Sequence, residues 1–325
     1  MNRRNHSASI DAIRRTFGDV LQENVSLARY TSARIGGNVD LLLIANSAEQ
    51  LAAMANTLWD SEIPFRVLGA GSNVLVADAG VRGVVILNQA RAVRFWEDPE
   101  GPRVHAESGA SLGSVARRVV ERGWSGLEWA ATVPGTVGGA IVGNAGAHGG
   151  DIAGSLAVVE ILQRTNGKAE WPVSRLEYGY RDSWLKQHPG EAVVLAATLR
   201  AALSTPEKTK ATMRAFLDQR QRTQPAGASM GSMFKNPPGD FAGRLIDEAG
   251  LKGYRIGGAQ ISPVHGNFFL NLGDATAADV LDLIQAAREK VMAQTGVELE
   301  LEVELIGEWD TTTANIAKTT EGGAP

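Results

Sequence analysis

Two glycine-rich segments constrain the fold of this chain more than any other feature. The first is Gly69-Ala70-Gly71-Ser72-Asn73, and the second spans residues 135–150, in which seven of sixteen residues are glycine. Glycine allows positive φ and close approach of another group to the backbone. Such a density predicts a structured loop in residues 135–150 rather than regular helix or strand. Because long loops are uncommon without a function, the segment favours a binding site over a purely structural loop.

The first glycine loop ends a predicted strand–helix–strand unit. Strands are predicted at residues 39–45 and 65–68, and a helix between them begins after Ser47, which forms a capping box with Gln50. The loop then leads into a short strand at residues 74–76. This order is typical of a mixed α/β unit with a loop at a strand end.

The middle of the chain predicts a second mixed unit. A strand at residues 104–106 precedes a helix over residues 112–119, which Gly123 would terminate. Beyond the second glycine segment, the Asn166-Gly167 pair predicts a hairpin, and residues 193–199 predict a buried strand.

The last part of the chain is richer in helix. Helices are predicted at residues 206–222, 241–249 and 276–294. Residues 297–305 then alternate between apolar residues and glutamates, which predicts one strand with all four carboxylates on one face. The glutamates are Glu298, Glu300, Glu302 and Glu304.

Composition excludes several classes of protein. The 32 Lys and Arg residues against 36 Asp and Glu residues give a net charge of −4, which does not indicate a nucleic-acid surface. The chain has no cysteine, and its five histidines lack metal-ligand spacing, so no metal site is predicted. The polar amino terminus and the lack of a long apolar stretch predict a cytoplasmic protein without membrane insertion.

The first glycine loop has two interpretations of equal weight. Its backbone amides could converge on a phosphate, or it could be a tight turn. Val74 stands where the dinucleotide fingerprint requires its third glycine, and no Walker A sequence occurs. Two glycine segments about 65 residues apart nevertheless suit a ligand with a long polyphosphate spine, and a dinucleotide flavin fits.

A serine hydrolase is a weaker alternative. Gly227-Ala228-Ser229-Met230-Gly231 matches the G-x-S-x-G pattern, and Asp247 and His265 follow in hydrolase order. The pattern requires an apolar strand before the serine and a helix directly after it. A polar segment precedes this one, and Pro237-Pro238-Gly239 follows it, so we reject the assignment.

Several ordered segments together resemble the UDP-N-acetylenolpyruvoylglucosamine reductases of bacterial peptidoglycan synthesis. The resemblance covers residues 27–307. The matching segments are TSARIGG, LGAGSNVLV, GLEWAATVPGTVGGAIVGNAGAHGGDI, YGYRDS, GSMFKNPPGDFAGRLIDEAGLKGYRIGGAQIS and GVELELEVELIG.

This resemblance implies an α+β protein with an FAD-binding fold of the PCMH or vanillyl-alcohol-oxidase type. Two α/β subdomains would hold FAD, and a C-terminal α+β domain would hold the substrate. The implied divisions are residues 1–88 and 89–202 for FAD, 203–298 for substrate, 299–309 for a strand carrying Glu302, and 310–325 for a disordered tail.

The resemblance also implies site residues. The catalytic residues would be Arg181, Ser232 and Glu302. Taken singly, each also has an ordinary structural interpretation, as a surface ion pair, a turn residue and a solvated carboxylate. The FAD-binding residues would be Gly69, Ala70, Gly71, Ser72, Asn73, Pro134, Gly135, Thr136, Gly138, Gly139, Asn144, Tyr180 and Arg220. The substrate-binding residues would be Lys235, Asn236, His265 and Asn267.

The implied reaction uses NADPH as co-substrate and non-covalently bound FAD to reduce the enolpyruvyl group of a UDP-sugar. Arg181 would stabilise an enolate and Ser232 would supply a proton, while Glu302 would either orient Arg181 or donate to the enolate. No obligate protein partner is expected. Two alternatives remain: an FAD-dependent alcohol oxidase of the same fold, and a catalytically silent sugar-nucleotide-binding protein.

Two features depart from the family pattern. The segment between Arg181 and Arg222 is too short for the tyrosine-bearing loop that closes over substrate in one branch of the family. Thr223 replaces a basic residue of the family, and Arg220 or Arg222 would have to replace its phosphate contact.

Overall fold

The computed structural model describes residues 13–309 and divides the chain into two compact units. Within the described residues, unit 1 comprises residues 13–24, 41–70 and 83–219, and unit 2 comprises residues 25–40, 71–82 and 220–309. Both units are discontinuous in sequence, because the chain leaves unit 2 and returns to it twice. The five divisions of the chain implied by the family resemblance remain a prediction. The last of them, the tail at residues 310–325, lies outside the described residues.

The secondary structure mixes short strands with helices, which confirms the α+β class. Within residues 13–309, the strands are β1 (Gln22–Ser26), β2 (Asn38–Ala45), β3 (Phe65–Leu68), β4 (Val74–Val76), β5 (Val81–Asn88), β6 (Val93–Asp98), β7 (Gly101–Glu107), β8 (Trp124–Ser125), β9 (Gly146–Ala147), β10 (Gly150–Asp151), β11 (Leu156–Gln163), β12 (Gly167–Pro172), β13 (Ala192–Arg200), β14 (Ala202–Leu203), β15 (Ala228–Ser232), β16 (Arg255–Ile256), β17 (Ala259–Ile261), β18 (Phe268–Asn271) and β19 (Glu304–Ile306). Residues 13–17 are helical, and the helices that follow are α1 (Ala48–Asp60), α2 (Leu112–Glu121), α3 (Val137–Val142), α4 (Ile152–Ser155), α5 (Trp184–Gln187), α6 (Pro206–Thr223), α7 (Ala242–Glu248) and α8 (Ala277–Thr295). The 3₁₀ turns are Gly18–Val20, Leu27–Tyr30, Glu128–Thr132 and Val173–Leu176.

Unit 1 is built on an antiparallel five-stranded sheet in the order β12-β11-β13-β7-β6. The predicted hairpin is confirmed, since β11 and β12 pair from Gln163 opposite Gly167 outward. The apolar face of α2 packs beside this sheet in a core that includes the buried rings of Trp129 and Trp171. Within the same unit, β3 pairs in parallel with β5, and the first glycine loop begins where β3 ends.

Unit 2 contains an antiparallel sheet in the order β15-β18-β17-β16, whose core includes the buried face of α8. A parallel pair joins β4 to β19, with Val74 opposite Glu304. The carboxylate of Asp78 accepts hydrogen bonds from the amides of Ala277 and Ala278 at the start of α8. Because Asp78 follows β4, this contact fixes the turn after β4 to the longest helix of the unit.

The helix after Ser47 is confirmed, although its cap differs in detail. The Ser47 hydroxyl accepts a hydrogen bond from the Gln50 amide, as a capping box requires. The Gln50 side chain accepts from the amide of Asn46 instead of that of Ser47. The sequence pattern therefore predicted the helix start correctly. It placed the amide bound by the Gln50 side chain at Ser47, whereas that amide belongs to Asn46.

The prediction that residues 135–150 form a structured loop without regular helix or strand is wrong. The segment contains helix α3 and the short strands β9 and β10, joined by turns. The hydroxyl of Thr136 accepts from the Gly139 amide and caps α3. Gly138 lies against Ser108, where a Cβ atom would come within 2.9 Å of the serine Cβ. Close packing, rather than irregular backbone, therefore explains part of the glycine content.

The prediction of one continuous strand over residues 297–305 is also wrong. Only β19 is regular strand, and before it Leu301 forms an isolated bridge to Phe234. The side chains still alternate as predicted: Leu299, Leu301 and Val303 are buried. Residues 297–305 thus pair briefly with Phe234 and with β4 instead of with one long strand, and these three apolar side chains stay buried.

Residues 13–309 contain neither a membrane-spanning helix nor a metal-ligand cluster. No helix in that range combines the length and the apolar character needed to cross a bilayer. Its His, Asp and Glu side chains form no group of three or more arranged to hold a metal ion.

Candidate active site

The first glycine loop requires glycine at position 71. Gly71 is buried with φ of +57°, and a Cβ atom there would lie 2.2 Å from the carbonyl oxygen of Tyr30. Its own carbonyl accepts a hydrogen bond from the amide of Ser32 at 2.9 Å. The loop therefore forms the tight turn of the second interpretation, while phosphate binding by the loop stays a prediction. The turn leaves Ser72 half-buried and Asn73 exposed.

The two glycine segments meet inside unit 1. A Cβ atom on Gly69 would lie 2.5 Å from the Thr136 hydroxyl oxygen, so only glycine allows this approach. Pro134 and Gly139 are exposed beside Thr136, and a Cβ on Gly139 would meet nothing closer than 3.5 Å. The convergence leaves backbone uncovered by side chains, which fits the diphosphate of a dinucleotide.

Three amides at the start of α3 are already engaged within unit 1. The amides of Val137 and Gly138 donate to the carbonyls of Ala110 and Ser108, and the Gly139 amide donates to Thr136. The Gly135 carbonyl also accepts from the amide of Leu112. The predicted cradle at residues 134–139 therefore offers exposed backbone surface instead of a set of unengaged amides.

Arg181 lies in unit 1 in a constrained loop conformation, with φ of +57°. Its guanidinium donates to the carbonyl of Gly146 at 3.0 Å and to that of Asn144 at 3.4 Å. Lys186 donates its ammonium to the Arg181 carbonyl at 3.0 Å. The side chain is half-buried and fixed against the second glycine segment, so its cation and planar donors are pre-oriented.

Asn144 organises the same loop. Its buried amide group donates to the Gly179 carbonyl at 2.9 Å and accepts from the Ala153 amide at 3.1 Å. The exposed ring of Tyr180 lies 5.4 Å from the Arg181 guanidinium carbon. Asn144 thus has a structural role whether or not it contacts FAD, while Tyr180 presents a ring to the surface.

Ser232 lies in unit 2 at the end of β15, half-buried and opposite Phe268 of β18. The segment after it is fixed by Asn267, whose buried amide group donates to the Phe234 carbonyl and accepts from the Phe234 amide. The Met233 amide donates to the Asn267 carbonyl. Asn267 therefore positions the segment next to Ser232, and its predicted substrate contact stays a prediction.

Glu302 lies beside this segment in unit 2. Its amide donates to the Met233 carbonyl at 2.9 Å, and its carbonyl accepts from the Asn73 side chain at 3.0 Å. The structure thus brings Ser232, Glu302 and the end of the first glycine loop together. Arg181 belongs to the other unit, so its convergence with Ser232 and Glu302 stays a prediction.

Lys235 has a partner that the sequence did not indicate. Its ammonium forms an ion pair with a carboxylate oxygen of Glu300 at 2.5 Å, and its amide donates to the Glu300 carbonyl. Only 17% of the Lys235 side chain is exposed. The alternating glutamates gave no signal that one of them would pair with this lysine.

The other predicted substrate residues surround the start of α7. The exposed Asn236 accepts from the Ala242 amide at 3.1 Å, and His265 accepts at Nδ1 from the Asn267 amide at 3.1 Å. Burial lowers the pKa of His265, and the nearby charge of Lys252 acts in the same direction. Both effects favour the neutral form of His265, in which Nδ1 can accept the Asn267 amide.

Arg220 is a half-buried cation near the end of α6, where burial lowers its pKa. Thr223 and Arg222 are exposed on the last turn of the same helix. Arg220 is thus the more sequestered of the two arginines suggested to replace the family's basic residue at position 223.

The structure excludes the hydrolase pattern at Ser229. The nucleophile turn needs a strand that ends at the serine and a helix that starts there. Ser229 instead lies inside β15, opposite Leu270 of β18. The G-x-S-x-G match is therefore accidental.

Sequence models of two families match the chain. The C-terminal domain of UDP-N-acetylenolpyruvoylglucosamine reductase matches residues 222–306, and an FAD binding domain matches residues 39–168. The second match supports the FAD-binding fold predicted for the residues that carry both glycine segments.

Named relatives match over most of their length. The UDP-N-acetylenolpyruvoylglucosamine reductase of Chloroflexus aggregans is 42% identical over 289 residues, covering 88% of this chain and 97% of the relative. That of Bacillus velezensis is 41% identical over 296 residues, covering 90% and 96%. The crystal structure of the reductase from Thermus caldophilus matches with a TM-score of 0.74 and 37% identity, covering 86% of this chain and 97% of that one.

Proposed function

Since this chain belongs to the UDP-N-acetylenolpyruvoylglucosamine reductase family and is an FAD-dependent oxidoreductase, we propose that it reduces UDP-N-acetylenolpyruvoylglucosamine to UDP-N-acetylmuramate with NADPH. The observation that carries the proposal is the junction in unit 2, where Ser232, Glu302 and Asn73 come together. It supplies a proton donor and a carboxylate next to a loop of the FAD-binding set.

FAD would be held by the two glycine segments that meet at Gly69 and Thr136. When bound, FAD accepts a hydride from NADPH and delivers it to the enolpyruvyl double bond of the substrate. The remaining steps belong to side chains of this protein. Asn73 and Gly139 supply exposed surface for the cofactor, and Tyr180 supplies an exposed ring.

Addition of a hydride to the terminal carbon leaves an electron pair shared by the neighbouring carbon and the carboxylate. Arg181 would stabilise that enolate, because a guanidinium offers two parallel donors in a fixed plane. Its two hydrogen bonds to backbone carbonyls hold the plane before substrate arrives. Stabilisation of developing charge by pre-oriented donors is usually a large part of catalysis.

A proton must then reach the carbon next to the carboxylate to complete the saturated lactyl ether. Ser232 would donate it from its hydroxyl as general acid. Glu302 would either orient Arg181 or, when protonated, donate to the enolate oxygen. The hydrogen bond from the Glu302 amide to the Met233 carbonyl keeps Glu302 adjacent to the segment of Ser232.

The sugar nucleotide would contact Lys235, Asn236, His265 and Asn267, which unit 2 carries on connected segments. A lysine ammonium suits a diphosphate as a point charge.

We also propose a cytoplasmic location and a role in peptidoglycan synthesis, since NADPH and UDP-sugars are cytoplasmic metabolites.

Spectroscopy of the purified protein tests this proposal. We expect a yellow protein that releases FAD on denaturation, is bleached anaerobically by NADPH, and regains its absorbance on addition of the enolpyruvyl sugar nucleotide. Bleaching by an alcohol and reoxidation by oxygen, without response to the sugar nucleotide, would instead indicate the oxidase. A protein that binds the sugar nucleotide but never reoxidises would be the silent binding protein.

A further inference from the structure

Asn73 contacts the catalytic segment at two points. Its side-chain amide donates to the Glu302 carbonyl at 3.0 Å, and its backbone carbonyl accepts from the Glu304 amide at 3.0 Å. The parallel pair of β4 and β19 begins at the next residue, with Val74 opposite Glu304. The side chain of Asn73 therefore extends this pairing by one contact, up to the residue that carries the catalytic carboxylate.

The backbone of Glu302 is held from both sides. On one side its amide donates to the Met233 carbonyl, next to Ser232, and on the other its carbonyl accepts from Asn73. Regular strand pairing starts only at Glu304. Without the Asn73 side chain, the Glu302 carbonyl would lose the contact that ties it to the glycine loop.

We propose that Asn73 is a positioning residue for Glu302, in addition to any contact it makes with FAD. The inference rests on the proposed function. The side-chain amide fixes the peptide after Glu302, and thereby the direction of its carboxylate relative to Ser232. Gly231 strengthens the link, because a Cβ there would lie 3.7 Å from the Ser72 carbonyl, so the loop and the Ser232 strand are adjacent.

The variant Asn73→Asp tests this role with little change of shape. It keeps the backbone carbonyl that accepts from Glu304, removes the side-chain N–H that donates to Glu302 and adds a negative charge. Asn271→Asp is the matched control, because the Asn271 amide likewise donates to a backbone carbonyl of unit 2, that of Ala33, at 2.9 Å. Asn73→Ala separates loss of the donor from the added negative charge.

With FAD at saturation, we expect both Asn73 variants to slow flavin reoxidation by the sugar nucleotide about tenfold, the upper range for one lost hydrogen bond. Reduction by NADPH should change less than reoxidation. In a Glu302→Gln background the Asn73 effect should largely disappear, because the two changes would act through one group. Asn271→Asp should leave both half-reactions unchanged.

Hydrogen exchange gives a readout independent of activity. The amides of residues 301–305 should exchange severalfold faster in Asn73→Asp than in wild type, with or without FAD, and Asn271→Asp should not show this. Equal slowing of both half-reactions with unchanged exchange would mean that Asn73 only binds cofactor and would overturn the proposal. If wild-type protein itself fails to respond to the sugar nucleotide, the proposed function is wrong, whereas normal wild-type turnover with unaffected Asn73 variants refutes only this inference.

Discussion

The predicted catalytic residues lie beside different glycine-rich segments. Backbone hydrogen bonds hold those in unit 2, and side-chain hydrogen bonds hold the one in unit 1. In unit 2, backbone hydrogen bonds connect the end of the first glycine loop with the segments of Ser232 and Glu302. In unit 1, the guanidinium of Arg181 itself bonds to carbonyls of the second segment. In unit 2 the predicted catalytic residues are thus positioned through their backbone, whereas in unit 1 the side chain of Arg181 itself helps to hold the loop.

Individual glycines of the two segments are required for different reasons. Gly71 has positive φ and lies against a backbone carbonyl. Gly138 and Gly150 make room for the side chains of Ser108 and Trp129, with a Cβ at Gly150 only 2.4 Å from the indole. Glycine content therefore indicates crowding, but the sequence does not say whether backbone, side chain or ligand causes it.

The largest effect should come from Ser232→Ala. A side chain carried by a backbone ladder can be truncated without disturbing the fold, so the change should affect chemistry alone. Flavin reoxidation by the sugar nucleotide should slow by about 100-fold to 10,000-fold, the usual value of general acid catalysis. Reduction by NADPH should stay near the wild-type rate, and stopped-flow absorbance measures both half-reactions.

Ser229→Ala is the matched control, because Ser229 lies on the same strand. It should change neither half-reaction. A damaging Ser229→Ala, or a Ser232→Ala protein that reoxidises at the wild-type rate, would show that the proton donor is assigned to the wrong residue.

Gly71→Val should have the next largest effect. A β-branched residue there combines strained φ with a clash against the Tyr30 carbonyl, which should lower the free energy of unfolding by roughly 2–6 kcal/mol. FAD retention should fall with it. Gly149→Ala is the control: Gly149 has φ of +81° but open space around it, so only the smaller conformational cost of about 1–2 kcal/mol should appear in urea unfolding.

Arg181→Lys should combine a catalytic and a structural effect. Lysine keeps the charge but cannot reach two carbonyls with a planar fork. We expect reoxidation by substrate to slow by about 10-fold to 100-fold, the value of one hydrogen bond to a charged group. Unlike Ser232→Ala, this variant should also speed hydrogen exchange at Asn144 and Gly146. Unchanged exchange there would show that Arg181 is not needed to hold the loop.

The sequence predicted elements that local chemistry determines. The Ser47 cap, the Asn166-Gly167 hairpin and the start of α8 after Thr276 depend on neighbouring residues, and all are found. The sequence did not predict that the strand over residues 297–305 would be interrupted before β19. That interruption depends on contacts with Phe234 and Val74, which are distant in sequence. Family resemblance supplied the site residues, whereas the pairs Lys235–Glu300 and Asn73–Glu302 could come only from three-dimensional contacts.

Gly139→Ala should separate packing from ligand contact in the second glycine segment. A Cβ there meets only the Thr136 hydroxyl, at an ordinary 3.5 Å, so the free energy of unfolding should change by less than about 1 kcal/mol. FAD affinity should nevertheless fall if the cofactor packs against this residue. Gly138→Ala, which would clash with Ser108, should instead cost about 1–3 kcal/mol of stability. Unchanged FAD affinity in Gly139→Ala would give this segment a structural role alone.

The smallest effect should come from His265, whose ring accepts a hydrogen bond from the backbone of unit 2. Burial lowers its folded-state pKa below the ordinary 6.5, and Lys252, itself paired with Asp247, adds to that shift. The folded protein therefore binds fewer protons than the unfolded chain as pH falls through 6.5, and stability that is full above this pH declines below it. Protonation of Nδ1 would also remove the acceptor for the Asn267 amide.

His265→Gln should flatten this decline in stability. Urea unfolding at about pH 7.5 and 5.5 measures it, and the difference between wild type and variant at each pH cancels the effect of other titrating groups. The same decline in both proteins would contradict this prediction, because it would mean that His265 is protonated as readily in the folded chain as in the unfolded one.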